Sequence, residues 1–123
     1  MRRPIHCTAL GKVLTCKTPE IALEAFKRGT KRYTLHTIID EQQSMAELEQ
    51  VRFQGYAVDR EEWSNGINCI AAPLYDSTEN IVAGISISGP TSSYPIEKIL
   101  EYVPLLIDYS HRISARLGSR GGW

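Results

Sequence analysis

Apolar positions recur at helical spacing early in the chain. Ala9, Leu10, Val13 and Leu14 follow Thr8, a residue type that caps helix starts, and predict a short first helix ending before Lys17, Thr18 and Pro19. Thr18, with Pro19 at the first helical position, predicts a second helix striped by Ile21, Ala22, Ala25 and Phe26 and stopped by Gly29. Lys31 to Ile39 has β-rich composition without clean alternation and is read as extended. Asp40 and Gln43 form a capping-box-like start to a third helix. Its narrow stripe of Met45, Leu48 and Val51 faces inward, Glu41, Glu47, Glu49 and Arg52 stay wet, and Gly55 ends it.

Tyr56 to Asp59 reads as a short strand and Arg60 to Gly66 as a polar loop. Ile67 to Tyr75 and Ile81 to Ser88 are the clearest strands, and Asp76 to Asn80 supply the turn between them. Gly89 and Pro90 should break the second strand. Tyr94 and Pro95 lead into a long last helix carrying Ile96, Ile99, Leu100, Val103, Leu106, Ile107 and Ile113, kinked near Leu100 because Pro104 removes a backbone bond. Gly118 ends it, and Ser119 to Trp123 read as a loose tail. Helices and an antiparallel hairpin in one chain make an α/β (α+β) domain.

The hairpin carries the most information. If Ser77 to Asn80 form the loop, Asp76 faces Ile81, Cys69 faces Ser88 and Ala71 faces Ser86. Side chains alternate along a strand, so Gly84, Ser86 and Ser88 share a face with Cys69, Ala71 and Pro73. The opposite face holds Ile70, Ala72, Leu74, Ile81, Ala83, Ile85 and Ile87. The aliphatic face is suited to packing under a helix. The small-residue face carries two hydroxyls about 7 Å apart, and two arrangements fit it: a hollow whose hydroxyls meet a ligand, or a closely packed helix whose backbone they bond. The helix start at Thr8 to Lys12 offers free N–H groups as a weak anion cradle, which gains meaning only if it points at the serines.

Composition narrows the classes. A chain of 123 residues, 42% apolar and 23% charged, makes one globular domain and excludes disorder. Fourteen basic residues cancel fourteen acids, which argues against a chain-wide grip on nucleic acid. The charges are segregated, at +6 for Met1 to Thr34 and −7 for Leu35 to Asn80. Either these regions attract each other across the fold, or the basic one faces an anionic partner. Cys7, Cys16 and Cys69 are an odd, widely spaced set, and there is no signal-peptide pattern, so a soluble cytoplasmic protein without structural zinc is expected. Ser86 or Ser88 with His111 and Asp59 would supply the residue types of a nucleophilic triad, but no GxSxG elbow surrounds either serine. Asp59, Glu61 and Glu62 are better read as a solvated acidic loop than as paired catalytic carboxylates, Cys69 as an inert thiol, and His6 and His36 as structural.

Four motifs then stand out in order: His6-Cys7-Thr8-Ala9-Leu10-Gly11-Lys12, Gly55-Tyr56-Ala57-Val58-Asp59 with Glu61-Glu62, Gly66 to Pro73, and Ile85-Ser86-Ile87-Ser88-Gly89-Pro90. Together they resemble the effector-binding domain of IclR-type bacterial transcriptional regulators over Arg3 to Gly118. The resemblance implies a GAF-like domain with a curved antiparallel sheet flanked by helices, and no enzymatic activity or cofactor. It implies binding of a small organic acid or related metabolite by Asp59, Cys69, Ser86, Ser88 and the Ala9–Leu10 peptide units, with Ile67 as an apolar wall. It further implies a homo-oligomer, a dimer or tetramer, with no membrane contact.

The sequence departs from that pattern in two ways. No winged helix-turn-helix domain or linker helix is recognisable, and the opening strands of the family's sheet are missing from these residues, so operator DNA would be reached only through a separate N-terminal domain. An incomplete sheet would leave an edge that invites self-association, and a dimerisation module with a vestigial pocket is the competing expectation. Second, some relatives have glycine where Ala9 and Leu10 stand, which implies that Leu10 narrows the pocket or favours a more apolar ligand.

Overall fold

The structure, a computed structural model, describes residues 7–121, so His6 and the ends of the chain lie outside the described residues. Three antiparallel strands, β1 (Ala57–Arg60), β2 (Ile67–Tyr75) and β3 (Ile81–Pro90), form a sheet in that order. Around it lie α1 (Ala9–Thr15), α2 (Pro19–Arg28), α3 (Glu41–Gln54), α4 (Ile96–Ile99) and α5 (Val103–Arg116). Thr8 Oγ1 caps α1 by accepting from Gly11 N at 3.0 Å, and Asp40 Oδ2 caps α3 by accepting from Gln43 N at 2.9 Å. Thr18, expected to cap α2, makes no side-chain cap bond. Gly55 closes α3 in the left-handed region, at φ 87°.

Cys69 pairs with Ser88 and Ala71 with Ser86, the expected register. Asp59 pairs with Cys69, so Asp59, Cys69 and Ser88 form one row across all three strands. Near the turn the pairing differs. Leu74 pairs with Ala83 but Tyr75 pairs with Ile81, which leaves Val82 as an extra, bulged residue. The bulge turns Ile81 from the aliphatic face to the face of Ala71, where it packs beside Ala9, Val13 and Val51. Gly89 and Pro90 do not break β3 as expected. They pair with Asn68 and Ile67, and Gly89 lacks a side chain where a Cβ would collide with the ring of Tyr94.

Each face of the sheet has its own core. Toward α1 these are small groups, Ala9, Val13, Cys16, Val51, Ala57 and Ala71. Toward α4 and α5 the core is bulkier, with Val58, Ile70, Ala72, Ile99 and Leu106. Pro104 acts where expected: α4 gives way to a 3₁₀ turn at Leu100–Tyr102, and Pro104 sits in the first turn of α5. Past the end of β1, α5 satisfies the backbone of β2, as Ser110 Oγ donates to Pro73 O at 2.7 Å and Ser114 Oγ accepts from Tyr75 N at 3.0 Å.

The segment Lys31 to Ile39 is not extended. It is an irregular loop in which the hydroxyls of Thr34 and Thr37 donate to the carbonyls of Glu61 and Glu62, so its β-branched threonines serve as clamps. After α5, Ser119 Oγ and Arg120 N each donate to the Glu79 carboxylate at 2.7 Å. No helix among the described residues is long and apolar enough to cross a membrane.

Candidate functional site

The N-terminal turn of α1 crosses the small-residue face of the sheet beside the row Asp59–Cys69–Ser88. A cavity of about 100 Å³ opens between them, and its walls contain all seven residues singled out from the sequence: Ala9, Leu10, Asp59, Ile67, Cys69, Ser86 and Ser88. Thr8 and Trp63 complete the lining. Ser86, Ser88 and Ile67 are exposed on the β3 side, whereas Asp59 at the inner end is only 5% exposed. The hollow is therefore open at one end and closed at the other.

Leu10 sets its size. A Cβ on residue 84 would collide with Leu10 Cδ1, so glycine at that position lets the leucine lie directly on the strand. The leucine thereby takes up room that a smaller residue would leave empty. Pockets for drug-sized molecules are about 300–1,000 Å³; this one holds only a few heavy atoms.

Asp59 is the chemically unusual wall. Its Oδ1 accepts from Glu62 N at 2.8 Å, yet burial pushes its pKa up to about 6, with the Glu62 charge adding to the rise and Lys12 opposing it. Behind it Lys12, only 2% exposed, directs its three N–H donors to Glu62 Oε2 at 2.7 Å, Val58 O at 2.8 Å and Glu47 Oε1 at 3.1 Å. The loop is thus not a solvated acidic one, since Asp59 and Glu62 are both buried and only the partly exposed Glu61 fits that reading. The two Lys12 ion pairs join the basic N-terminal region to the acidic middle, the attraction across the fold that the segregated charges imply.

The triad is not assembled. His111 lies on α5 and lines a different groove with Lys17 and Tyr75, while the serines open toward α1. Cys69 is half-buried at the cavity. Cys7 is the more inert thiol, pushed up to about 12 by burial and by the charges of Asp59 and Glu62. Among the described residues no group of three or more His, Cys, Asp or Glu side chains could hold a metal ion.

The family model described as bacterial transcriptional regulator IclR C-terminal matches residues 1–115. The chain belongs to this IclR family. It is 39% identical over 119 residues to the HTH-type transcriptional regulator KdgR of Escherichia coli, covering 95% of this chain and 45% of that protein. In structure it is similar to the Agobacterium tumefaciens repressor BlcR, with a TM-score of 0.88 at 30% identity over 98% of this chain and 49% of the other. It is also similar to a double mutant of the inducer-binding domain of Acinetobacter PobR in complex with 3-hydroxybenzoic acid, with a TM-score of 0.84 at 29% identity over 92% of this chain and 66% of that one. The chain spans less than half the length of KdgR, and these relatives are a transcriptional regulator, a repressor and the inducer-binding domain of a transcription factor.

Within this IclR-type domain three parts of the site escaped the sequence reading. Trp63 sits in what reads as a polar loop and carries no periodicity signal. Lys12 and Glu62 are 50 positions apart, and their pairing emerges only when α1 is laid against β1. Within α1 itself a signal was present: Lys12 falls next to Val13 on a helix whose other buried residues carry no charge, so its charge needs a partner.

Proposed function

We propose that this domain senses a small organic acid for an IclR-type transcriptional regulator, with the 100 Å³ cavity as its site. One observation carries the reading: a thiol, two hydroxyls and a carboxyl of raised pKa line a single hollow beside the start of a helix. Ser86 and Ser88 donate to the ligand's carboxylate, joined by the Ala9 and Leu10 N–H groups, which have no partner within α1. Asp59, protonated below about pH 6, donates to a neighbouring oxygen on the ligand. Ile67 and Leu10 cover its apolar part. PobR, the relative in complex with 3-hydroxybenzoic acid, supports a carboxylic acid as the ligand class, and the small volume here favours a shorter one.

Hydrogen bonds to a charged group contribute about 1.5–3 kcal/mol each. A few of them, set against the cost of association, give micromolar to millimolar affinity. Calorimetric titration with pyruvate, lactate and glycolate tests the reading. At least one should bind saturably, and Ser86→Ala with Ser88→Ala should weaken it about tenfold or more; unchanged affinity in the double variant would sink the site.

A second reading rests on β3. It is the last strand of the sheet, so its ten-residue outer edge has no strand partner among the described residues, and such an edge invites pairing with a second copy. On this reading the domain is a dimerisation module with a vestigial pocket. Sedimentation separates the two, because a tight oligomer indifferent to every acid favours the module.

A further inference from the structure

Of the nine described residues that line the serine cavity, only Trp63 is aromatic. It is half-buried in the connection between β1 and β2, four positions after Asp59. The residues just before it are tied down from several sides. Glu62 N donates to Asp59 Oδ1 at 2.8 Å, Lys12 Nζ to Glu62 Oε2 at 2.7 Å, and the hydroxyls of Thr34 and Thr37 to the carbonyls of Glu61 and Glu62. Beyond Trp63 the loop closes through Gly66 N, which donates to Glu61 Oε1 at 2.9 Å. The tryptophan is thus carried on a fixed turn, so little backbone freedom is lost when a ligand meets it. A cavity of about 100 Å³ is also too narrow for a ligand filling it to miss any wall.

We infer, resting on the acid-sensing reading of this cavity, that Trp63 is its specificity-determining residue: the indole covers the carbon chain of a short acid and shields Asp59 from water. Hydroxyls and N–H groups serve the ligand's oxygens, and Leu10 and Ile67 supply a limited aliphatic surface. An indole adds a broad apolar face, and each methyl group it removes from water is worth about fourfold in affinity. A ring beside a carboxyl also keeps that carboxyl dry, which favours its protonated form. Asp59, 5% exposed at the closed end of the cavity, has that character. The other titratable groups around Asp59 are Glu62 in the same loop, Lys12 on α1, Cys7 before α1 and Cys69 on the neighbouring strand. Replacing Trp63 leaves all four in place.

Calorimetric titration with acetate and propionate, and with glycolate and lactate, tests this, since the members of each pair differ by one methyl group. The parent should prefer the longer member about fourfold. Trp63→Ala should lose most of that preference and Trp63→Phe should keep it. For the acid that binds best, the parent's affinity should rise as pH falls through about 6. In Trp63→Ala the rise should move lower, toward the ordinary carboxylate range, and in Trp63→Phe it should stay. Trp123→Phe leaves Trp63 as the single tryptophan of the chain, and its emission should change saturably with the same midpoint as the heat. An unchanged methyl preference and pH midpoint in Trp63→Ala, with binding still weakened by Ser86→Ala and Ser88→Ala, overturn the inference and leave the acid site standing. No saturable heat from any of the acids with the parent overturns both. If Trp63→Ala fails to fold, the emission decides, and Trp63 emission unmoved by a bound acid overturns the inference.

Discussion

Toward α5 the sheet presents Val58, Ile70, Ala72, Ile85 and Ile87, closed over by Ile99 and Leu106; toward α1 it presents Ala57, Ala71, Gly84, Ser86 and Ser88 beneath Ala9, Leu10 and Val13. The same strands build both faces, and side-chain volume separates them. Branched aliphatics fill the space under α4 and α5. Alanine, glycine and serine let α1 approach closely and leave a remnant of space at its end. The polar residues follow the same division: Asp59, Cys69 and Ser88 share a row on the open face, and on the aliphatic face the serines of α5 bond to the backbone of β2. One face carries the bulkier core and the other the serine-lined cavity.

Four substitutions sharpen this contrast. The largest effect should come from Lys12→Met, which strands Glu62 and Glu47 behind the open face. It should cost about 3–5 kcal/mol, read as a lowered denaturant midpoint. Leu106→Ala on the aliphatic face should cost about 2–5 kcal/mol through the cavity it leaves, with no change in acid affinity where the domain remains folded.

Asp59→Asn tests the pH behaviour. The folded pKa of Asp59 lies above its ordinary value, so the folded state holds this proton more tightly than the unfolded one. Its contribution to stability is therefore fully present below about pH 4 and is lost as pH rises to about 6. Asparagine removes the charge, and should stabilise the domain at pH 7 by on the order of 2 kcal/mol and flatten the stability profile between those limits. A profile identical to that of the parent would remove Asp59 from the account. Leu10→Ala should have the smallest effect on stability, about 1–2 kcal/mol for a half-buried leucine, while admitting longer acids that the parent excludes in the same calorimetric assay.

Much of this contrast was legible before any coordinates. Strand parity alone placed Cys69, Ser86 and Ser88 together, because the period of two leaves only one alternative and turn chemistry chose the register. The bulge at Val82 was not legible: one extra residue moved Ile81 to the opposite face, and nothing in Ile-Val-Ala marks where pairing slips. The segment from Lys31 to Ile39 failed for a related reason. Its β-branched residues suit a strand by propensity, but Thr34 and Thr37 spend their hydroxyls on the carbonyls of Glu61 and Glu62. Burial of Asp59 and Glu62 also eluded sequence reading, since two carboxylates in a polar loop look solvated until Lys12 arrives from a helix 50 positions away.

The most direct test is an amide ¹H–¹⁵N spectrum of the domain titrated with pyruvate at pH 6 and at pH 7.5. Shifts should concentrate at Ala9, Leu10, Asp59, Cys69, Ser86 and Ser88 and saturate at lower pyruvate concentration at pH 6, where more of Asp59 is protonated. Shifts confined to the groove beside Lys17 and His111, or tighter binding at pH 7.5, would contradict it.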